Sequence, residues 1–209
     1  MQEEIIRKLR NRLKGELPGL TAQMKMAPFI RKAENFTFTK KDNSIQGGVL
    51  ILLYPHLDEL YIPLMLRSEY GGAHSGQVSF PGGKKERSDK NLIETALRES
   101  EEELGIPSHR VEILGTLSDL FISVSNFNVL PVIGYIKERP DFRKDPHEVD
   151  ELIEAPISHL LLSTTSKIKN IKVPSGFELE APYYQVERHS VWGATAMMLS
   201  EFLAIYKDL

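Results

Sequence analysis

The chain has 209 residues, no cysteine, and 26 basic against 29 acidic side chains, for a formal net charge of −3. The lack of cysteine excludes a disulfide framework, a thiol nucleophile and a cysteine zinc site, and is compatible with a reducing cytoplasm, the expected location. The longest apolar runs fall far short of the ~20 residues of a membrane span, the first residues carry no apolar signal core, and the near-balanced charge offers no general attraction to nucleic acid.

In chain order, residues 3–14 predict an amphipathic helix with Ile5, Ile6, Leu9 and Leu13 on one side, stopped by Gly15 and Pro18. That face is expected to pack on the same domain or on a partner subunit rather than on a membrane. Residues 20–35 are a mixed connector in which Lys25, Arg31 and Lys32 could approach phosphate. The run G-G-V-L-I-L-L-Y over 47–54 predicts a buried strand, 55–58 a turn, and 60–67 a hairpin partner in which Pro63 marks an edge or a bulge. Residues 67–80 form a glycine-containing loop in which Arg67 and His74 are donors suited to phosphate oxygens. Residues 110–117 and 127–137 predict two further strands, linked by a loop that ends in Ser123-Val124-Ser125-Asn126. Residues 140–155 read as an acidic loop, 156–162 as the start of a short helix, 168–173 and 177–186 as two strands around Pro174-Ser175-Gly176, and 189–206 as the closing helix. Trp192, Ala196, Leu199 and Leu203 on that helix are core by spacing.

The segment with most chemistry lies between Phe80 and Ile106. Pro81-Gly82-Gly83 opens it as a loop and Gly105-Ile106-Pro107 closes it as a helix stop. A helix over 91–104 is expected, capped by Ser88 or Asp89, with Ile93, Leu97, Ser100 and Leu104 turned to the core. Glu99, Glu102 and Glu103 fall on another face at i, i+3 and i+4, where like charges lie about 5–6 Å apart and repel. An acidic run can be no more than a solvated face, but the glycine loop before it and the glycine stop after it favour a site. Three such carboxylates call for a hard divalent cation, Mg²⁺ or Mn²⁺. Arg98, four residues before Glu102, is placed to hold that carboxylate in position.

These residues resemble the Nudix box, G-x5-E-x7-R-E-U-x-E-E-x-G-U with U a bulky aliphatic residue. Arg98-Glu99, Glu102-Glu103, Gly105 and Ile106 match its second half in register. Gly83 lies one residue too far upstream, so Asp89 or Glu86 stands for the first acid, and Ser100 occupies a U position. The preceding R-S…H-S-G-Q-V-S-F-P-G-G resembles the signature of the coenzyme A pyrophosphatase branch of the Nudix family, as does V-W-G-A-T-A-M-M-L near the end; Gly71-Gly72 stands where relatives often carry Leu-Arg.

The resemblance implies an α/β/α sandwich with a mixed, curved sheet and the box helix packed on it. It implies one Nudix domain over 1–209: a helical extension over 1–40, the core over 41–165, and closing strands and helix over 166–209. It further implies Mg²⁺ or Mn²⁺ held by Glu99, Glu102, Glu103 and Gly83, with Arg98 in support. Glu148 is a fourth ligand or a general base, with Asp150 and Glu151 as rivals, and Glu103 is the other candidate base. Arg67, His74, Gln77, Gly82, Gly83 and Asn126 would meet a small nucleoside diphosphate substrate. The implied reaction is hydrolysis of coenzyme A or acyl-coenzyme A at the pyrophosphate. ADP-ribose or a dinucleotide is the alternative substrate, and a non-catalytic nucleotide- or protein-binding domain the alternative role. No nucleic-acid or membrane partner is expected, and the N-terminal helix is a plausible contact of a homodimer.

Overall fold

The computed structural model describes residues 2–29, 42–68, 76–172 and 178–209. The apolar run near position 50 becomes β1 (Ile45–His56), and the larger sheet is built around it. β1 lies parallel to β7 (Phe127–Tyr135) in continuous register from Ile45 opposite Phe127 to Leu53 opposite Tyr135. On its other side β1 pairs antiparallel first with β4 (Gly82–Lys84) and then, past Leu53, with β2 (Glu59–Arg67). β2 carries β3 (Val78–Ser79) and β8 (Val149–Pro156), while β7 carries β5 (Glu112–Thr116) and β6 (Leu120–Ile122). A second sheet has β10 (Glu178–Val186) between β9 (Ser166–Lys172) and β11 (His189–Trp192).

Successive strand side chains point to opposite faces, so the continuous apolar strands bury both. Leu50, Leu52, Tyr54 and Val132 pack with Ala96, Leu104 and Ile106 of the box-helix segment, whose helix is α3 (Leu92–Leu104). Ile51, Leu53, Ile62, Leu64 and Ile133 pack on the opposite face. There they meet α1 (Gln2–Arg12) through Ile6 and Leu9, the second sheet through Tyr184, Val186 and Val191, and α5 (Gly193–Lys207) through Leu199 and Phe202. The layered α/β sandwich with a mixed sheet is therefore the architecture. Two shorter helices, α2 (Gly19–Gln23) and α4 (Ile157–Leu160), fill its edges. Among the described residues no helix is long and apolar enough to cross a membrane. The apolar side of α1 is spent on its own chain.

Buried Glu201 of α5 ties the N-terminal segment down. Its carboxylate accepts from the backbone N–H groups of Gly19 and Ser118 and from the Gln23 amide. A buried carboxylate needs such partners, because an unsatisfied one costs several kcal/mol.

Several expectations change. The cap of α3 is Asn91, not Ser88 or Asp89: its Oδ1 accepts from the Ile93 and Glu94 N–H groups at 3.0 Å each. Pro63 lies in no edge strand. It sits between the stretch of β2 paired with β1 and the stretch paired with β3, opposite Glu154 of β8, and the bulge falls instead at Leu66/Arg67. The acidic loop over 140–155 ends in strand β8, in which Asp150 is exposed while Glu151 and Glu154 are part-buried. The closing helix starts at Gly193, because His189–Trp192 pair with β10 as a strand first. Short strands β3, β4 and β6 lie in stretches read as loop. The turn Pro174-Ser175-Gly176, and Arg31 and Lys32, lie outside the described residues.

Candidate active site

Helix α3 can lie close against β1 because Gly48 has no side chain. A Cβ there would come within 2.2 Å of the Leu92 carbonyl oxygen and 3.2 Å of the Ala96 nitrogen. The core-facing side of α3 follows the expected stripe, with Ser100 and Leu104 fully buried and Ile93 and Leu97 partly so. Ala96 joins them at the centre.

The three box acids then take three different environments. Glu102 is largely exposed, with its side chain 58% accessible, and is held by Arg98 Nη1 at 2.9 Å. Glu99 is half-buried, and its carboxylate lies on the Gly83 backbone: a Cβ at Gly83 would sit 2.5–2.6 Å from the carboxylate atoms. Glu103 turns inward, its side chain 2% accessible. Its Oε2 accepts from the Gly82 N–H at 2.8 Å and its Oε1 from Arg67 Nη1 at 3.2 Å.

Arg98 organises one side of this site. It donates through Nε and Nη2 to Asp89 at 3.0 and 3.1 Å, and through Nη2 to Glu99 at 2.9 Å and the Lys84 carbonyl at 3.2 Å. Asp89 is 5% exposed and also accepts from the Glu86 N–H and the Thr95 hydroxyl. The residue standing for the first box acid therefore anchors the arginine, and its shorter carboxylate reaches because the loop folds it under the helix. The bonds from Arg98 hold the Asp89 carboxyl well below the usual carboxylate range and push the Arg98 guanidinium up.

A strap after β7 supplies the remaining acid. The Arg143 and Asp145 N–H groups donate to the Leu104 and Glu103 carbonyls, satisfying oxygens that the helix end leaves free. The chain then turns through Asp145, whose carbonyl accepts from both Glu148 and Val149 N–H. The Glu148 carbonyl accepts from the Ser68 N–H, so Glu148 is fixed between the end of β2 and the end of α3. Its charge acts on both Glu99 and Glu103. Its two rivals are engaged elsewhere: Asp150 accepts from the Ser68 hydroxyl, and Glu151 pairs with Arg188 and His189.

Burial, reinforced by the charges of Glu99 and Glu148, pushes the Glu103 carboxyl up to about 8, against the opposing pull of the Gly82 N–H and Arg67. Burial also raises Glu99, helped by Glu102 and Glu148 and opposed by Arg98. This excess of negative charge, with hard oxygen donors on Glu99, Glu103, Glu148 and the Gly82-Gly83 backbone, fits a divalent cation. The side chains are not drawn together around one point: among the described residues no three acids or histidines converge at a coordinating position. Glu102 is turned to Arg98 and Glu103 to Arg67.

The expected substrate groups divide. Arg67, Gly82 and Gly83 lie with the acids. Gln77 enters through its carbonyl, which accepts from the Arg67 N–H at 3.1 Å. Asn126 sits at a left-handed turn before β7, where its amide donates to the Asn43 carbonyl and its own carbonyl accepts from the Ile45 N–H, apart from the acids. His74, like Gly71 and Gly72, lies outside the described residues. The Arg67–Glu103 pair and the strap were not foreseen. The only sequence signal for the first is that its two partners, 36 positions apart, both fall in motifs.

The NUDIX domain model matches residues 46–171, which contain every acid of this site. A Nudix hydrolase of Pectobacterium atrosepticum, NudL, is 36% identical over 164 residues, covering 78% of this chain and 83% of that protein. The NudL of Yersinia enterocolitica is 38% identical over 158 residues, covering 75% of this chain and 79% of its own. A MutT/nudix family protein of Enterococcus faecalis shares the fold, with a TM-score of 0.53 over 91% of this chain and 70% of that one at 15% identity. Nudix hydrolases as a group use divalent metal ions. With the family model spanning more than half of its length and these relatives aligned over most of theirs, the chain belongs to the Nudix hydrolase family.

Proposed function

We propose that the protein is a metal-dependent diphosphatase that cuts coenzyme A, or an acyl-coenzyme A, into 3′,5′-ADP and 4′-phosphopantetheine or its acylated form. The observation that carries the hydrolase reading is that Glu99 and Glu103 meet the Gly82-Gly83 backbone, with the charge of Glu148 acting on both. The observation that favours coenzyme A is the sequence R-S…G-Q-V-S-F-P-G-G leading into that backbone.

Glu99, Glu102, Glu103 and the Gly83 carbonyl would hold Mg²⁺ or Mn²⁺, with Glu148 as a further donor. A divalent ion there neutralises the diphosphate and makes a bound water more acidic. The chain's own groups do the rest. Arg98 holds Glu99 and Glu102 in place. Arg67 supplies a guanidinium fork for a phosphate oxygen. Glu103 or Glu148 accepts the proton of the attacking water. The protein acts in the cytoplasm on a small molecule, with a homodimer as its expected assembly.

Gly71-Gly72, in place of the Leu-Arg that relatives often carry, removes one positive charge and keeps ADP-ribose or a dinucleotide as the second reading. The test is incubation with coenzyme A and Mg²⁺, products identified by mass spectrometry, with the double variant Glu102→Gln, Glu103→Gln as control. Release of 3′,5′-ADP by the wild type alone supports the reading. Intact coenzyme A alongside cleaved ADP-ribose moves the substrate to the second reading, and no turnover of any diphosphate makes the domain a binding module.

A further inference from the structure

We propose that Arg67 is a resident counter-ion that a divalent metal displaces from Glu103, and that the displaced guanidinium then receives the substrate's phosphate. The proposal rests on the metal-dependent diphosphatase reading above.

Both oxygens of Glu103 are occupied, one by the Gly82 N–H and one by Arg67. The Arg67 and Glu103 side chains are 18% and 2% accessible, so water screens the pair weakly. Arg98 already serves Asp89, Glu99 and Glu102. Arg67 is the cation paired with Glu103.

The backbone of Arg67 is pinned. Its N–H donates to the Gln77 carbonyl, its carbonyl accepts from the Gly76 N–H, and the following Ser68 N–H donates to the Glu148 carbonyl. The position of the residue is thus fixed at the end of β2 while its long side chain spans the gap to α3. A divalent ion bound through Glu103 brings two positive charges to the oxygen that Arg67 occupies, and two cations cannot share it without repulsion. The guanidinium leaves, and its fixed stem keeps it beside the site. A planar fork of N–H donors next to a metal is matched to a phosphate oxygen. The exchange sets an order: metal first, diphosphate second.

The test measures Mn²⁺ binding to substrate-free protein by electron paramagnetic resonance for the wild type, Arg67→Met and Arg67→Lys. The Met variant is expected to bind Mn²⁺ about fivefold tighter or more, since removing a competing cation removes a coupling of that size. Its KM for the diphosphate rises at least about tenfold, because a charge-assisted contact is lost. Arg67→Lys stays within about twofold of the wild type in Mn²⁺ affinity, since both keep the charge. A merely structural role for Arg67 weakens both affinities together, and that result overturns the proposal. Should Arg67→Met not fold, Arg67→Gln carries the same expectation. A wild type that binds Mn²⁺ and cleaves a diphosphate while the Met variant binds no tighter refutes the exchange alone. A wild type that binds no Mn²⁺ refutes the exchange and the proposed function together.

Discussion

Replacing Asp89 by asparagine removes one charge and almost no volume, and it tests whether this residue anchors the site. The Asp89 Oδ2 atom accepts from the Glu86 N–H at 2.9 Å, the Thr95 hydroxyl at 3.0 Å and Arg98 Nη2 at 3.1 Å; Oδ1 accepts from Arg98 Nε at 3.0 Å. Asparagine has one oxygen. Its best placement keeps the three bonds at the Oδ2 position and points an amide N–H at Arg98 Nε, so one bond becomes a donor–donor contact. Breaking a buried ion pair from one side costs about 3–5 kcal/mol. Arg98 retains Glu99, Glu102 and some solvent contact, so the expected loss falls below that range, at about 2–3 kcal/mol. For a chain of this length that lowers the melting temperature by roughly 5–10 °C. Urea and thermal unfolding of the metal-free protein at neutral pH read this directly.

The same pair sets a pH signature. The Asp89 carboxyl is depressed in the folded state below the value of 3.8 that it takes in the open chain, chiefly by Arg98. Its contribution is therefore complete above that value and fades as the pH falls through the lower folded one. The gap between wild type and Asp89→Asn should be constant from neutral pH down to about 5 and shrink in stronger acid. A variant within about 0.5 kcal/mol of wild type at neutral pH, or a gap unchanged in strong acid, would refute the reasoning.

Three other outcomes are expected. Asn91→Ala should cost about 1 kcal/mol in unfolding while Ser88→Ala changes little, since Asn91 makes the cap of α3. Gly83→Ala should leave stability within about 1 kcal/mol, because the flexible Glu99 carboxylate can yield, yet lower kcat/KM with Mg²⁺ by roughly tenfold or more; unchanged kinetics would separate Gly83 from the chemistry. Glu201→Ala leaves the Gly19 and Ser118 N–H groups and the Gln23 amide without their acceptor, and should cost about 3 kcal/mol or more in urea unfolding with kcat intact.

What the sequence discloses follows from the range of each signal. The box helix is legible because its apolar spacing, acid spacing and stop at Gly105 all lie within a few turns. β1 and β7 are legible because both of their faces are buried, which leaves long apolar runs. β8 is not: Asp150, Glu151 and Glu154 interrupt its apolar pattern, and the bulge opposite, at Leu66/Arg67, breaks the register that would make it regular. β4 pairs through the backbone of two glycines, which carry no strand propensity. Asn91 escaped as the cap because Ser88 and Asp89 satisfy the same chemical criterion. Asp89 turned out to face inward, toward Arg98, and only the tertiary structure decides between those uses. The inward turn of Glu103 was equally hidden, since the spacing that groups it with Glu99 and Glu102 does not say which of the three rotates toward the sheet.

The position of β7 between β1 and β5 bears on how the chain reaches this structure. Residues 127–135 are synthesised after both of their neighbours, so β1 must wait about eighty residues for its parallel partner. Until then one long, apolar edge of β1 has no ladder to join. Such edges invite pairing with other chains, and the interval before β7 docks is the point at which a refolding protein is most exposed to aggregation. Refolding yield should therefore fall with protein concentration even where the final fold is secure.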